Sequence, residues 1–362
     1  MAGRPKIEVA ASRSYPVFSG VKLEELGEYL LTRLQPEDHL LVISQPAVVD
    51  RHFARLAEGL RPFKVDLITF PASEEEKSLE RLAQIASEAV RLGADRGTVV
   101  VAFGGGVVGD LAGFFASVYM RGIPFVQVPT TLLAQVDSSI GGKVGINHPA
   151  AKNLLGAFHP PLAVWSDFTT TATLPWQEVQ NGLAETVKHA ILGDSELFDF
   201  LEQHVAQVQE REPTVWRGMI ERSLAVKVRI VSQDEHEHGK RALLNLGHSF
   251  GHALETELGY HGLAHGQGVS IGIVAASRLA AARGWLNREQ CERIVRLLQA
   301  FDLPVAIKDV DIVRLMSHMQ ADKKNRSGCK VLILPRGIGQ AEVVDDCTDG
   351  EIEQAWRQVV LF

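Results

Sequence analysis

Long hydrophobic runs are missing from this sequence, although 46% of its 362 residues are hydrophobic. A helix that crosses a bilayer needs about 20 consecutive apolar residues, and the longest apolar stretches, at 99–103 and 269–276, are much shorter. No apolar segment follows the positive charges near the N-terminus, as one would in a secretory signal. These absences exclude a membrane-spanning class and predict a cytoplasmic protein without a membrane partner.

Cysteine and positive charge are also scarce. The three cysteines, Cys291, Cys329 and Cys347, lack the spacing of a disulfide framework or a metal site, so we expect reduced thiols. Lysine and arginine number 37 against 44 aspartates and glutamates, which gives a net charge of −7. Because nucleic-acid-binding domains are usually basic, we expect no nucleic-acid partner. Any local cluster of lysine and arginine is informative against this acidic background.

The first half of the chain alternates short apolar runs with amphipathic stretches. One such stretch, 79–92, has apolar residues at three- and four-residue spacing, which predicts a helix. The predicted strands are 40–43, 65–69, 99–103 and 125–129. Alternating strands and helices are typical of a parallel sheet with helices on both faces.

The second half, from about Glu178, is mostly helical in its periodicity. The predicted helical segments are 182–190, 214–231, 250–258, 268–283 and 288–300. We therefore predict an α/β nucleotide-binding domain with a parallel sheet over residues 1–177. A mostly α-helical metal-binding domain is predicted over residues 178–362.

A glycine-rich segment, GGGVVGD at 104–110, follows the predicted strand 99–103 and opens a helix. Glycines let the backbone approach a phosphate closely, and a helix N-terminus adds free N–H groups and a positive dipole end. The spacing is not that of the GxGxxG dinucleotide fingerprint. Taken alone, the segment fits a phosphate site and a tight structural turn equally well.

A second polar segment begins where the strand 125–129 ends. It carries two threonines, then DSSIGGK at 137–143, and then Lys152 and Asn153. The paired glycines give a turn that can wrap an anion, and Lys143 supplies the opposite charge. A solvated surface loop is the alternative, but the apolar residues Ile140 and Val144 are typical of a packed segment.

Two charged groups allow both an ordinary and a functional interpretation. Glu185 and Lys188 share a helix face at i and i+3, which fits a surface ion pair or, alternatively, a metal ligand beside a substrate-binding cation. The run DKKNR at 322–326 similarly fits a solvated face or a ligand-binding segment. Spacing does not decide either case.

Four histidines, at 248, 252, 261 and 265, lie close together beside glycines. Such a cluster is a candidate metal site. One interpretation pairs His248 with His252 at i, i+4, and another pairs His248 with His265 from two successive helix starts. An open catalytic zinc site needs a third ligand, for which Glu185 is the candidate. The residues alone leave both pairings open.

Taken together, these segments resemble the dehydroquinate synthase family, a branch of the sugar phosphate cyclases. The matching stretches are 104–123, 129–161, 173–191, 240–255, 263–272 and 321–335. The resemblance implies a homodimeric lyase of the shikimate pathway, which leads to chorismate and the aromatic amino acids. Its cofactors would be NAD and Zn²⁺ (or Co²⁺). The implied reaction converts 3-deoxy-D-arabino-heptulosonate 7-phosphate to 3-dehydroquinate and phosphate, by transient oxidation, phosphate elimination, re-reduction and aldol cyclisation.

The resemblance also implies residue roles. Zinc would be held by Glu185, His248 and His265. NAD would be bound by Glu74, Lys77, Gly105, Gly106, Val107, Asp110, Thr130, Thr131, Leu133, Asp137, Ser138 and Lys152, with Thr173, Leu174 and Glu178 nearby. The substrate would meet Lys143, Asn153, Lys188, Lys227, Arg241, Asn245, His252 and Lys324. Arg121 would reach the phosphate bound by a neighbouring subunit. Because imidazole titrates near neutral pH, we also expect His252 to transfer a proton.

Two other enzyme activities compete with this one, and so does a non-catalytic binding protein on an enzyme scaffold, which the presence of every proposed ligand and pocket residue opposes. A metal-dependent polyol dehydrogenase would also use a glycine-rich turn and paired histidines, but the lysines and arginines exceed what an uncharged polyol requires. A related cyclase that acts on a different sugar phosphate is the second. The combination of Asn245 and His252 with the GGK at 141–143 resembles the dehydroquinate-forming branch.

Overall fold

The computed structural model describes residues 6–149, 151–259, 262–320 and 330–361. The chain divides into two compact units. The first, here called the α/β unit, comprises Met1–Leu174 and Val231–His236. The second, the helical unit, comprises Pro175–Ile230 and Glu237–Phe362. The predicted domain ranges are 1–177 and 178–362, so the prediction assigns the segment Val231–His236 to the second domain, whereas it belongs to the first unit.

A seven-stranded sheet forms the centre of the α/β unit. Its strands are β1 (Lys6–Val9), β2 (Tyr15–Ser19), β3 (His39–Ser44), β4 (Lys64–Thr69), β5 (Val99–Gly104), β6 (Phe125–Pro129) and β9 (Val164–Ser166), and their order in the sheet is β1-β2-β9-β6-β5-β3-β4. The four predicted strands are β3 to β6, and these pair in parallel. Strands β3, β5 and β6 are buried along their whole length, which explains their continuous apolar sequences. The predicted parallel α/β architecture is confirmed.

Helices cover both faces of this sheet. They are α1 (Leu26–Leu30), α2 (Pro46–Gly59), α3 (Leu79–Arg91) and α4 (Gly106–Val118). Because successive strand residues point to opposite faces, Leu40 and Val42 pack with α2 while Leu41 and Ile43 pack with α3 and α4. A separate antiparallel hairpin consists of β7 (Lys143–His148) and β8 (Ala151–Phe158).

The helical unit is built mainly from nine helices among the described residues. They are α5 (Trp176–Gly193), α6 (Ser195–Gln203), α7 (Val205–Gln209), α8 (Pro213–Gln233), α9 (His248–Glu257), α10 (His265–Ala282), α11 (Arg288–Ala300), α12 (Ile312–Gln320) and α13 (Asp349–Arg357). Two small ribbons complete it, pairing β10 (Ile307–Lys308) with β13 (Val360–Leu361) and β11 (Leu332–Gly337) with β12 (Gln340–Val344). No described helix is both long and apolar enough to span a membrane.

Helices α9 and α10 begin at histidines, two and three residues before the predicted segments 250–258 and 268–283. Glycines in their first turns, such as Gly251 and Gly268, carry no side chain and so contribute nothing to the apolar periodicity. Both histidines therefore lie at the first position of a helix.

Candidate cofactor and metal sites

The glycine-rich segment joins the end of β5 to the start of α4. Gly105 is the N-cap residue, and α4 begins at Gly106. A Cβ atom at Gly105 would lie 2.9 Å from Cγ2 of Thr131, and one at Gly106 would lie 3.2 Å from Oγ of Ser138. Bare backbone therefore packs against two side chains of the second polar segment. The first N–H groups of a helix have no partner within it, so this turn suits a phosphate.

The threonines after β6 lie beside this turn. The backbone N–H of Thr130 donates to the carbonyl of Gly104 at 2.9 Å. The buried Thr130 hydroxyl has no hydrogen-bond partner within the described part of the chain. Burying such a group without a partner costs free energy, so the position fits a bound molecule that supplies one. Ligands of parallel α/β sheets bind at this carboxyl edge of the strands.

Lys77 joins three other predicted site residues. Its Nζ donates to Oδ2 of Asp110 at 2.8 Å and to Oδ1 of Asn153 at 2.6 Å, and it lies 3.5 Å from Oε1 of Glu74. Lys77 is only 4% exposed. Burial opposes its charge, but the Asp110 and Glu74 carboxylates outweigh burial and raise the pKa of Lys77. We conclude that this lysine stays charged and fixes the geometry of the group.

Asn147, which sequence reasoning missed, holds the same group together through four hydrogen bonds. Its Nδ2 donates to the backbone carbonyl of Glu74 at 3.1 Å and to Oε1 of Glu74 at 2.8 Å. Its Oδ1 accepts from the backbone N–H of Asn153 at 2.8 Å, and its own N–H donates to the carbonyl of Lys77 at 2.7 Å. Asn153 has φ of 50°, a left-handed conformation that asparagine tolerates better than most residues. No spacing in the sequence links residue 147 to residue 74 or 77.

The remaining predicted residues of the α/β unit occupy several places. The backbone N–H of Gly141 donates to the Tyr15 hydroxyl at 2.8 Å, which fixes the GGK turn before the exposed Lys143. Thr173 lies 3.1 Å, through its hydroxyl, from Nε2 of His52. Arg121 is exposed in a turn with a positive φ of 72°. The structure also places Val107 in α4, Leu133, Asp137 and Ser138 in the turn after β6, Lys152 in β8 and Leu174 after the 3-10 turn that contains Thr173.

Within the helical unit, three helices bring potential metal ligands together. Glu185 lies in α5, and His248 and His265 begin α9 and α10. One ligand atom from each residue lies within 4.8 Å of the other two. Oε1 of Glu185 is 3.5 Å from Nε2 of His248 and 3.3 Å from Nε2 of His265. A carboxylate and two imidazoles form a donor set typical of an open catalytic zinc site, so these residues fit the ion.

Close packing of α9 against α10 explains why the two histidines meet. A Cβ atom at Gly251 would lie 2.9 Å from the carbonyl oxygen of Gly268, and one at Gly272 would lie 2.0 Å from that of Gly247. Side chains at these positions would force the helices apart. The glycines near these histidines in sequence therefore allow the backbones of α9 and α10 to pack closely together.

The two histidines differ in their electrostatic surroundings. Burial and the charge of Lys188 lower the pKa of His248 well below its usual value. Burial also disfavours charge on His265, but hydrogen bonds to Glu185 and Glu255 outweigh it and raise the pKa of His265 to about 9. Two carboxylates thus favour positive charge at His265, which is an environment that suits a dication.

His252 lies one helical turn beyond His248. The two rings meet edge to face with centroids 5.5 Å apart. The group of Glu185, His248 and His265, found among the described residues, does not include His252. This geometry favours the pairing of His248 with His265, while the ligand roles stay predictions.

Three of the predicted substrate-binding residues are buried cations of the helical unit. Lys188, Lys227 and Arg241 are 1%, 6% and 2% exposed, respectively, and Lys188 forms an ion pair with Glu185. Asn245 donates through Nδ2 to Oε1 of Glu237 at 2.7 Å. Burying a positive charge is expensive, so these side chains suit contact with an anionic ligand. Glu178 lies in the first turn of α5, and Lys324 lies outside the described residues.

Glu255 is a further residue that sequence reasoning missed. Its side chain is 4% exposed, and Oε1 lies 3.1 Å from Nδ1 of His265. In the sequence it is one of two glutamates near the end of a helical segment, and only the packing of α9 on α10 makes it a neighbour of a metal-ligand candidate.

Comparison with known proteins gives a consistent result. The family models described as 3-dehydroquinate synthase N-terminal and C-terminal match residues 67–181 and 182–325. The 3-dehydroquinate synthase of Colwellia psychrerythraea is 41% identical over 94% of this chain and 97% of its own length. That of Halorhodospira halophila is 43% identical over 92% of this chain and 93% of its own length.

A solved structure is similar over nearly the whole chain. It is ValA, a 2-epi-5-epi-valiolone synthase from Streptomyces hygroscopicus subsp. jinggangensis with NAD⁺ and Zn²⁺ bound. The TM-score is 0.89 at 31% identity, covering 98% of each chain. Fold and relatives together define an enzyme with an α/β unit and a helical unit. Within that class, the chain belongs to the 3-dehydroquinate synthase family.

Proposed function

We propose that the protein converts 3-deoxy-D-arabino-heptulosonate 7-phosphate into 3-dehydroquinate and inorganic phosphate, as a step of the shikimate pathway. The names of the two relatives at 41% and 43% identity support this activity. The observation that carries the proposal is a zinc-type ligand set beside buried positive charge in one unit, as a polyanionic substrate of a metal enzyme requires.

NAD is the proposed redox cofactor. It supplies reversible hydride transfer at one substrate carbon, which leaves the overall reaction redox-neutral. The turn at Gly105–Val107 would hold the pyrophosphate with backbone N–H groups. The Thr130 hydroxyl, Asp110 and the other predicted cofactor residues of the α/β unit would bind the rest of the molecule. NAD⁺ in the ValA structure supports this assignment.

Zinc is the proposed metal, and Glu185, His248 and His265 would hold it. The ion would supply Lewis-acid polarisation of substrate hydroxyls in its open positions. Cobalt is compatible with the same donor set. Zn²⁺ in the ValA structure supports zinc.

Lysine, arginine and asparagine side chains would bind the substrate. The planar Arg241 guanidinium suits bidentate binding of a carboxylate, whereas Lys143, Lys188 and Lys227 suit a phosphate as point charges. Asn153 and Asn245 would bind substrate hydroxyls, and Lys324 belongs to the same proposed set. His252 is the proposed proton-transfer residue, since imidazole titrates near neutral pH and this ring lies beside the ligand candidate His248.

A cytoplasmic homodimer completes the proposal. Val118 and Met120, which precede Arg121, are 48% and 41% exposed, and this apolar surface supports contact with a second copy. Cys291 and Cys347 are free thiols, which fits a reducing compartment. Light scattering during gel filtration should give twice the monomer mass, and monomer mass at micromolar concentration would contradict the homodimer.

Product identification tests the proposed activity. The holoenzyme should form 3-dehydroquinate from the heptulosonate phosphate and should turn over poorly with a sugar phosphate of equal length that lacks the carboxylate. The reason is that a site that buries Arg241 for a carboxylate loses binding energy when that group is missing. The reverse preference would instead favour a related cyclase.

A further inference from the structure

Glu255 has no role in the function proposed so far, yet it is buried against a metal-ligand candidate. It lies two turns after His248 on α9 and contacts the first residue of α10, His265. Oε1 of Glu255 is 3.1 Å from Nδ1 of His265, and the opposite ring nitrogen, Nε2, is 3.3 Å from Glu185. The imidazole therefore lies between two carboxylates.

A carboxylate at Nδ1 has a definite effect on a histidine. It accepts the Nδ1–H, which places the lone pair on Nε2 and fixes the plane of the ring. A metal-ligating histidine usually has such a partner on its other nitrogen, because the contact orients the ring and makes it a stronger ligand. Nε2 of His265 is the nitrogen that faces Glu185, as metal binding requires.

The second histidine of the group is oriented differently. Nδ1 of His248 lies 3.2 Å from the backbone carbonyl of Leu246, a neutral acceptor. The site thus combines one imidazole supported by a carbonyl with one supported by a carboxylate. The carboxylate of Glu255 is only 4% exposed, and burying it costs free energy. Helix packing alone does not require a charged side chain at this position.

We propose that Glu255 is a positioning residue that orients His265 and strengthens metal binding through it. This inference rests on the proposed function, because it takes His265 as a zinc ligand. A purely structural role, in which Glu255 only ties α9 to α10, would affect thermal stability and leave metal affinity unchanged.

Glu257 offers a matched control on the same helix. It is another glutamate at 9% exposure that binds a histidine, since its Oε2 lies 2.9 Å from Nε2 of His318 and 3.1 Å from Nε of Arg314. Neither partner belongs to the metal group. Glu257→Gln removes the same charge from α9 without touching His265.

The experiment is a zinc competition titration of the metal-free full-length chain with a chromophoric chelator. We expect Glu255→Ala to weaken zinc binding by about 10–100-fold, the usual effect of losing such a partner. Glu255→Gln keeps an acceptor oxygen and should lose less, whereas Glu257→Gln should stay within about twofold of the unsubstituted chain because its partners are not ligands. The rate of zinc release to the chelator should likewise rise most in Glu255→Ala, less in Glu255→Gln and hardly at all in Glu257→Gln.

The possible outcomes distinguish a failure of the proposed role of Glu255 from a failure of the proposed function. Unchanged zinc affinity in both Glu255 variants, with zinc bound by the unsubstituted chain, would overturn the inference and leave the proposed function standing. Equal losses in the Glu255 and Glu257 variants would also overturn it, as a general effect of charge on α9. An unsubstituted chain that binds no zinc would overturn the metal assignment itself. Circular dichroism of the metal-free variants checks folding, and the isosteric Glu255→Gln carries the test if Glu255→Ala does not fold.

Discussion

The two units assemble their candidate sites in different ways. In the α/β unit, backbone at the end of β5 and the polar residues that follow β6 create the phosphate-type turn, so short segments of sequence contain most of its features. In the helical unit, single side chains from α5, α9 and α10 converge, and their positions depend on helix packing. A site built from backbone can therefore be recognised in the sequence as a local motif. For a site built from side chains of separate helices, the sequence offers only a set of candidate residues.

The support of the two sites differs in the same way. Lys77, Asp110, Glu74 and Asn153 bind one another, so the predicted residues of the α/β unit form much of their own support. In the helical unit, the predicted residues meet at Glu185, but His265 also depends on a carboxylate outside the prediction, that of Glu255. Loss of one ligand should therefore be more damaging in the helical unit than loss of one contact in the α/β unit.

The largest expected effect comes from removing a metal ligand. His265→Ala should abolish stoichiometric zinc and lower kcat/KM by at least about a thousand-fold, because Lewis-acid stabilisation contributes several kcal/mol. NAD⁺ affinity should stay unchanged, since the cofactor residues belong mainly to the α/β unit. Metal analysis and fluorescence titration measure the two quantities, with His204→Ala as the control. Full zinc content in His265→Ala would show that His265 is not a zinc ligand.

The next effect concerns proton transfer in the same unit. His252→Ala should lower kcat by about 10²–10⁴-fold, the usual contribution of a general acid or base. Zinc content should remain at the level of the unsubstituted chain. Loss of zinc would instead show that His248 and His252 form the ligand pair.

A smaller effect is expected at the glycine-rich turn. Gly105→Ala should weaken NAD⁺ binding by about tenfold, because relieving the 2.9 Å contact with Thr131 costs on the order of 1–3 kcal/mol. Zinc affinity should not change. Gly97→Ala is the control, since its Cβ would have only an ordinary contact at 3.4 Å. Normal NAD⁺ affinity in Gly105→Ala would contradict the role of this turn.

The smallest effect lies away from both sites. Hydrogen bonds from Arg283 lower the pKa of Glu351 from 4.5 to about 2. Because the folded pKa is depressed, the stabilisation is present above about pH 4.5 and is lost as the pH falls toward 2. Glu351→Gln should lower the melting temperature at pH 7 by about 1–3 °C, as for a surface ion pair. The difference should vanish in scans near pH 2, and a difference that grows with acid would be inconsistent with this pair.

The sequence indicated four of the seven strands of the sheet, three of which, β3, β5 and β6, are continuous apolar runs buried on both faces, and it did not indicate β1, β2 and β9. It indicated the starts of α9 and α10 less well, since the glycines that allow close packing interrupt the apolar period. The candidate residues could be named from motifs and family resemblance. Asn147 and Glu255 could not, because the contact of Asn147 with Glu74 spans 73 residues and that of Glu255 with His265 depends on the packing of α9 against α10.

The most direct test of the account follows phosphate release and NADH absorbance together while the zinc- and NAD-loaded enzyme consumes the heptulosonate phosphate. We expect one phosphate released for each substrate consumed, with no net NADH. NADH that accumulates with turnover would contradict it and indicate a dehydrogenase, and an absence of phosphate would contradict the proposed substrate.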